Sequence, residues 1–215
     1  MRAINCFFLT VFSVLITTGV TAQAIKADAI LDKTAQIFAK WGGMEVRFSA
    51  HIYSGKNGVS ERFEGTIRTK NNKILFSTPD MIIWFDGVTQ WSYMPRIEEV
   101  NIDTPSDDDL RLLNPMMILQ DYKKEYNLSL IGESTSSNAK SSYDIALTPK
   151  KKGEIEKIEM QIEKHSSLPV KIVLSMRNDL RNTIQITEIK AGNDEDEVFS
   201  FPKASYPDVE IIDLR

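Results

Sequence analysis

Alternation of apolar and polar residues with a period of two runs through most of the chain, and it constrains the fold more than any other feature. In residues 44–53, Val46, Phe48 and Ile52 alternate with charged and polar side chains. Successive side chains of a β-strand point to opposite faces, so the pattern predicts a strand with one buried and one solvated face. Burial of a single face is typical of antiparallel sheets. The chain is therefore predicted to be mainly β.

Turn signals separate the alternating segments. The dipeptides Asn-Gly at 57–58 and Asp-Gly at 86–87 favour the positive backbone angles of tight hairpins. The predicted strands are residues 44–53, 59–69, 74–76, 81–85, 90–94, a short one near 100, then 125–131, 143–148, 155–163, 170–176 and 182–189, with a last strand and tail at 198–201 and 209–212. About ten antiparallel strands are enough for a sheet to curl.

Two segments have helical spacing instead. Residues 26–41 place their apolar side chains on one helix face and are followed by Gly42-Gly43, which favours a helix end. Residues 110–119 form a dense apolar patch behind a capping pattern of Ser106 and Asp109. Pro115 must kink or split this second helix. These segments are the predicted cover for one face of the sheet.

The first 24 residues have the pattern of a secretory signal peptide. Arg2 is the charged start, residues 7–16 are mostly apolar, and Ala22-Gln23-Ala24 is a small-x-small cleavage site. The alternative is an N-terminal anchor helix, which the short apolar run disfavours. Cys6 is the single cysteine and lies inside this peptide. We therefore expect cleavage near Ala24 and an exported, thiol-free domain of residues 25–215.

Composition and motifs argue against several functions. A formal net charge of −4, without a stripe of basic residues, argues against binding to nucleic acid. His51 and His165 have no second ligand at metal spacing, which favours two solvent-facing histidines. The acidic residues 107–109 lack the ligand spacing of a calcium loop. No nucleophile motif or phosphate-binding glycine loop is present. We expect no enzyme activity, no metal and no cofactor.

Four motifs in order carry a family resemblance. They are Phe63-Glu64-Gly65 with Ile67, Asp86-Gly87-x-x-x-Trp91-x-Tyr93-x-Pro95, the helical run of residues 114–119, and Phe199-Ser200-Phe201-Pro202 with Val209 and Asp213. Together they resemble the periplasmic outer-membrane lipoprotein carrier family (LolA) over nearly all of the mature chain. The resemblance implies an incomplete, half-open antiparallel β-barrel, here of about ten to eleven strands, covered by an N-terminal helix and a central helical lid.

The same resemblance implies a carrier rather than an enzyme. Its cargo would be the acyl chains of a lipoprotein, held in a hydrophobic cavity and taken from an inner-membrane ATP-driven exporter to an outer-membrane acceptor. We expect a periplasmic monomer that binds no nucleic acid. The alternatives are a lipid-sensing regulatory module on the same fold, a carrier of a non-lipoprotein lipid, and a lipid-modifying enzyme with a polar cluster in its cavity.

Large apolar residues of the predicted strands and lid are the candidate cavity wall. They are Phe48, Phe63, Ile67, Phe76, Trp84, Trp91, Tyr93, Met116, Met117 and Leu119. For each of them the alternative is ordinary core under a sheet, where most large apolar residues lie. Trp91 and Tyr93 combine an apolar ring with a polar group, which suits a cavity mouth. Flexible methionines suit a wall for variable cargo.

One departure from the family concerns the lid latch. The resemblance implies an arginine, followed by a proline, that fastens the lid through hydrogen bonds. In this sequence Asn71 stands at that position and the proline is absent. Arg68 and Lys70 are the neighbouring cations, but lysine lacks the planar fork of arginine. A latch at Asn71 is therefore expected to be altered.

Overall fold

The computed structural model describes residues 26–56 and 58–215, so the predicted signal peptide falls outside the described residues. The α-helices are Ala27–Trp41 (α1), Asp107–Leu113 (α2) and Ile118–Glu125 (α3), with 3-10 helices at Pro115–Met117, Asp196–Phe199 and Lys203–Ser205. The strands are Gly43–Ser54 (β1), Val59–Lys70 (β2), Lys73–Ser77 (β3), Ile82–Phe85 (β4), Gln90–Met94 (β5), Glu99–Asp103 (β6), Tyr126–Thr135 (β7), Ser141–Pro149 (β8), Ile155–Glu163 (β9), Pro169–Met176 (β10), Arg181–Ala191 (β11) and Glu210–Asp213 (β12).

All twelve of these strands form one sheet, in the order β12-β6-β5-β4-β3-β2-β1-β11-β10-β9-β8-β7. Within the described residues β12 and β7 are unpaired on their outer sides, so the sheet does not close. The prediction of an open, mainly β fold with helices is confirmed. The strand number is twelve rather than ten to eleven, because the predicted tail at 209–212 is a strand in the sheet.

The C-terminal segment departs from an all-antiparallel arrangement. β12 pairs with β6 in parallel, with Ile211 opposite Val100. The predicted strand at 198–201 is wrong, since residues 196–199 form a 3-10 helix instead. The chain uses this helix and the one at Lys203–Ser205 to return along the sheet before it adds its last strand.

α1 packs on the sheet through the predicted apolar face. Ile30, Leu31 and Thr34 are buried, and the Thr34 hydroxyl donates a hydrogen bond of 2.8 Å to the carbonyl of Ser167. The helix ends at Gly42, which has a φ of 69° that a residue with a side chain disfavours. α1 is therefore fixed to the turn between β9 and β10 as well as to β1.

The second helical segment is split, as its proline predicts. α2 begins with a capping box in which Ser106 and Asp109 satisfy each other's backbone donors. The chain then leaves the helix at Asn114, passes through the 3-10 turn Pro115–Met117, and re-enters a helix as α3. Residues 107–117 are thus two short pieces joined at Asn114 rather than one continuous helix.

The filled part of the core lies under one half of the sheet. On β8, β9 and β10, Leu147, Ile158, Ile162 and Ile172 are fully buried. They belong to one apolar cluster with residues of α1 and α3. The open space under the sheet lies nearer β1 to β4, with Ile172 of β10 at its border.

Candidate functional site

A cavity of about 150 Å³ lies between the inner face of the sheet and residues 112–116, and we call it the strand cavity. Its floor is formed by inner-face residues of β1, β2, β3, β4, β10 and β11, and its roof by the end of α2 and the 3-10 turn. Asn114 and Asn182 are the two polar residues among its sixteen lining residues. Its volume resembles that of an apolar protein cavity that holds one benzene molecule. A longer hydrocarbon needs the roof to move or the space to be extended.

A second cavity of about 420 Å³ provides such an extension, and we call it the helix cavity. It lies between the C-terminal half of α1, the adjoining ends of β1, β2 and β3, and the lid, with Phe38, Met44 and Met117 in its wall. Asn114 and Met116 line both cavities. The two spaces are therefore neighbours separated in part by these two side chains.

Seven of the ten predicted wall residues lie on the inner side of the sheet or in the lid. Phe48, Ile67, Phe76 and Met116 line the strand cavity, and Met116, Met117 and Leu119 line the helix cavity. Phe63 packs edge-on against Phe48, with ring centroids 6.2 Å apart. The structure brings these residues together. Their role in binding lipid remains a prediction.

Trp84, Trp91 and Tyr93 lie on the opposite, outer face. Trp84 pairs directly with Trp91 across β4 and β5, and directly opposed residues of an antiparallel pair share a face. Tyr206 covers this face, with its ring centroid 5.9 Å from that of Trp84 and 4.7 Å from that of Tyr93. The placement of these three residues in the cavity wall was wrong, because Ile83 and Phe85 supply the inner face of β4.

Asn71 has a backbone role at the turn between β2 and β3. Its φ is 55°, which asparagine tolerates better than most residues, and its N–H donates a hydrogen bond of 3.1 Å to the carbonyl of Gly42. It also lines the helix cavity. Arg68 pairs with Asp194 and Lys70 with Asp196. Both cations are thus held by the loop after β11 and are not directed at the lid.

A side-chain cluster joins the end of the lid to α1 instead. The hydroxyl of Tyr122 in α3 donates a hydrogen bond of 2.6 Å to Oδ1 of Asp32 in α1, and Lys123 forms an ion pair with the same carboxylate. The hydrogen bonds from Lys123 and then Tyr122 lower the pKa of Asp32 below its ordinary value. Burial, followed by the hydrogen bond to Asp32, raises the pKa of Tyr122 well above its usual range. The cluster therefore pairs a neutral tyrosine with a charged aspartate at neutral pH.

Sequence reasoning missed Asn114, Asn182 and the Tyr122–Asp32 pair. The Oδ1 of Asn114 accepts the Met116 N–H at 3.2 Å, and an asparagine just before a proline is a turn signal that could have identified it. Tyr122 and Asp32 are 90 residues apart. No local pattern links such a pair or indicates that Asn182 faces a cavity.

Residues 26–56 and 58–215 have neither a metal-binding cluster nor a helix that could span a membrane. This part of the chain contains no group of three or more histidine, cysteine, aspartate or glutamate residues arranged to hold a metal ion. None of its helices has the length and apolar character that crossing a bilayer requires.

The family assignment agrees with this open sheet and its lid. Residues 17–179 match the model of the family described as outer membrane lipoprotein carrier protein LolA. The chain belongs to this family. Membership of the LolA family supports a role in binding lipids or lipoproteins. No curated protein matches the sequence.

Similar solved structures have low sequence identity to this chain. An uncharacterized conserved protein from Thermus thermophilus is 13% identical, with a TM-score of 0.53, and the match covers 87% of this chain and 98% of that one. A LolA superfamily protein from Nitrosomonas europaea is 14% identical over 83% of this chain and 99% of that one, with a TM-score of 0.46. The Mycobacterium tuberculosis lipoprotein LppX is 12% identical over 79% and 99%, with a TM-score of 0.44.

Proposed function

We propose that this LolA-family chain is a periplasmic carrier that binds the acyl chains of lipoproteins between its sheet and its lid and moves them from the inner to the outer membrane. The observation that carries the proposal is the strand cavity. Fourteen of its sixteen lining residues are apolar, and its roof is the interrupted segment at 112–116. A cavity of this kind suits a hydrocarbon guest, because burying each methylene group contributes about 0.8 kcal/mol.

Movement of the roof is the step that loading requires. Residues 107–113 and 115–117 are short helical pieces, and Asn114 between them has the non-helical backbone angles φ −134° and ψ 88°. A change in backbone angles at this junction can lift the roof without unfolding α1 or α3. Release then depends on the acceptor, since a ligand shifts the open and closed states only by its different affinity for them.

The partners follow from the carrier role. An inner-membrane ATP-driven exporter would load the chain, an outer-membrane acceptor would unload it, and the carrier would work as a monomer after signal-peptide cleavage near Ala24. The domain would comprise residues 25–215. It would act as a binding protein without catalysis.

A carrier of a non-lipoprotein lipid is the second candidate. The strand cavity of about 150 Å³ is far smaller than several acyl chains need together, and even with the neighbouring helix cavity as an extension the limited space favours a guest with a single chain. The absence of the latch arginine at Asn71 points the same way, since the family resemblance implies that this arginine fastens the lid of a lipoprotein carrier. Mass spectrometry of lipids that co-purify with the chain from the periplasm separates the two candidates.

A pair of phenylalanine substitutions on β1 tests lipid binding itself. Ala50 is buried in the strand cavity wall, and its neighbour Ser49 points to the other face of the sheet. We expect the mature chain to bind a fluorescent acyl probe at micromolar concentration. Ala50→Phe should fill the cavity and weaken binding at least tenfold, whereas Ser49→Phe should leave the Kd within about twofold. No binding by the unmodified chain, or equal effects of the two variants, would refute the proposal.

A further inference from the structure

One side chain in the strand cavity has an unsatisfied polar atom. Asn182 is the second residue of β11 and lies directly opposite Ile52 of β1 and Leu174 of β10. It lines the strand cavity two residues before Ile184 on the same face. Its Oδ1 is buried and has no hydrogen-bond partner among the described residues. Buried polar atoms without partners are rare in native proteins, because the lost hydration is not replaced.

The other polar residue of the same wall provides a contrast. Asn114 is buried, but its Oδ1 accepts the backbone N–H of Met116. That amide serves the protein's own lid. Asn182 therefore places in an apolar cavity a hydrogen-bond acceptor that no donor among the described residues uses.

Strand register locates Asn182 at one end of the cavity wall. Along β1 the helix cavity is lined by Gly43 and Met44, and the strand cavity by Val46, Phe48 and Ala50. Asn182 is opposite position 52, beyond Ala50 and away from the helix cavity. From position 52 to Val46 is six residue steps, or about 20 Å along an extended strand. A guest with a polar group at Asn182 could extend its hydrocarbon chain along this wall toward Met116.

We propose that Asn182 selects the guest of this cavity by accepting a hydrogen bond from a hydroxyl or amide N–H group that the lipid carries next to its acyl chain. This inference rests on the proposed lipid-binding function and adds its ligand class and orientation. A carbonyl oxygen can pair with a donor only. An ester or an ionised carboxylate presents acceptors alone, which the Nδ2–H groups of Asn182 can donate to, but it leaves Oδ1 of Asn182 unsatisfied, so such lipids bind more weakly than their donor-bearing analogues.

Matched ligands test the proposal by competition against a fluorescent acyl probe. N-methyl dodecanamide and methyl dodecanoate differ mainly in an N–H group, and methyl 3-hydroxydodecanoate supplies a hydroxyl instead. In the mature chain, the amide-to-ester and hydroxyester-to-ester affinity ratios are measured first. In Asn182→Leu, the ratio for the preferred donor should fall about tenfold, since a hydrogen bond to an otherwise unsatisfied buried atom has that effect. The donor whose ratio falls identifies the group that Asn182 binds.

Controls separate this inference from the function on which it rests. Thr183→Val changes the adjacent position of β11, whose side chain lies on the other face of the sheet, and it should retain the ratios of the unmodified chain. Asn182→Ala removes the same oxygen without adding bulk and should repeat the fall if the leucine variant does not fold. If the affinity ratios are equal in all variants while the esters still bind, the proposed role of Asn182 is overturned but the lipid-binding function is not. Failure of the unmodified chain to bind the probe overturns the lipid-binding function and this inference together.

Discussion

The hydroxyl of Tyr122 and the carboxylate of Asp32 are 2.6 Å apart and join α3 to α1. The same hydroxyl also lies 3.2 Å from the carbonyl oxygen of Asp28. These contacts fix the C-terminal end of the lid, whereas its N-terminal part, residues 107–117, covers the cavity as two short pieces. The lid is therefore anchored to α1 at its C-terminal end, and we propose that its N-terminal part is the one that moves during loading.

Removing the Tyr122 hydroxyl tests this anchor. We expect Tyr122→Phe to lower the free energy of unfolding by about 1 kcal/mol, because one hydrogen bond is lost while Asp32 keeps Lys123. Exchange of a bound acyl probe should become faster as α3 loosens. Tyr143→Phe on β8 is the control, since that residue lies on a strand away from both cavities. Stopped-flow probe displacement with unchanged rates would show that α3 does not restrain the lid.

Met116 should separate short from long guests. It is buried and lines both cavities, so Met116→Ala should join them at a cost of about 2–5 kcal/mol in stability. The affinity for a hexadecanoyl probe should rise relative to an octanoyl probe. Met117 lines the helix cavity and is absent from the strand cavity wall, so Met117→Ala should leave that ratio near its original value. Titrations with both probes measure the ratio, and a fall in the Met116 variant would contradict a joined cavity.

Acid should weaken the link between β2, β3 and the loop after β11. Hydrogen bonds from Lys70 and Lys73 lower the pKa of Asp196 from 3.8 to about 2. A group whose folded pKa is lowered stabilises fully above its unfolded pKa and loses that effect as the pH falls toward the folded pKa. This contribution should therefore be complete above about pH 4 and lost between about pH 4 and pH 2.

Denaturation by urea across this range measures the effect. Asp196→Asn should be less stable than the unmodified chain at about pH 7, and the difference should vanish near pH 2. Asp121→Asn, at an exposed position of α3, serves as the control. A stability difference that stays constant from about pH 7 to about pH 2 would mean that the charge of Asp196 is not responsible.

The aromatic residues on the outer face of the sheet should contribute to the stability of the protein and not to lipid binding. They are Trp84, Trp91, Tyr93 and Tyr206. Trp91 lies beside Trp84 on the outer face. We expect Trp91→Ala to leave the Kd of an acyl probe within about twofold, whereas Phe48→Ala in the strand cavity should weaken binding. Fluorescence titration of both variants, with circular dichroism to confirm folding, makes the comparison. Equal losses of affinity in the two variants would show that Trp91 belongs to the lipid-binding site.

The misplacement of Trp84 shows what alternation can and cannot predict. β4 is the run Ile82-Ile83-Trp84-Phe85, in which every residue is apolar. A period of two fixes the inner face only when the other face is polar. Here the outer face is covered by Phe201 and Tyr206, whose segment is more than 100 residues away in sequence. Local sequence therefore predicts the strand but not its orientation.

In β1, by contrast, the sequence identifies the inner face. Val46, Phe48 and Ala50 are buried while Arg47 is exposed, because one face is polar and solvated. Pro115 likewise predicts the break in the lid from local chemistry alone. The cavities themselves depend on how far the lid stands from the sheet, which is a tertiary distance without a local signal.

Photocrosslinking with a diazirine-labelled fatty amide tests the central claim most directly, because it records which residues touch the guest. After irradiation of the purified chain with the bound amide, peptides are analysed by mass spectrometry. The account predicts adducts on peptides that contain Phe48, Met116 and Ile184, and their loss in Ala50→Phe. Adducts restricted to the outer-face peptides around Trp91 and Tyr206 would contradict it.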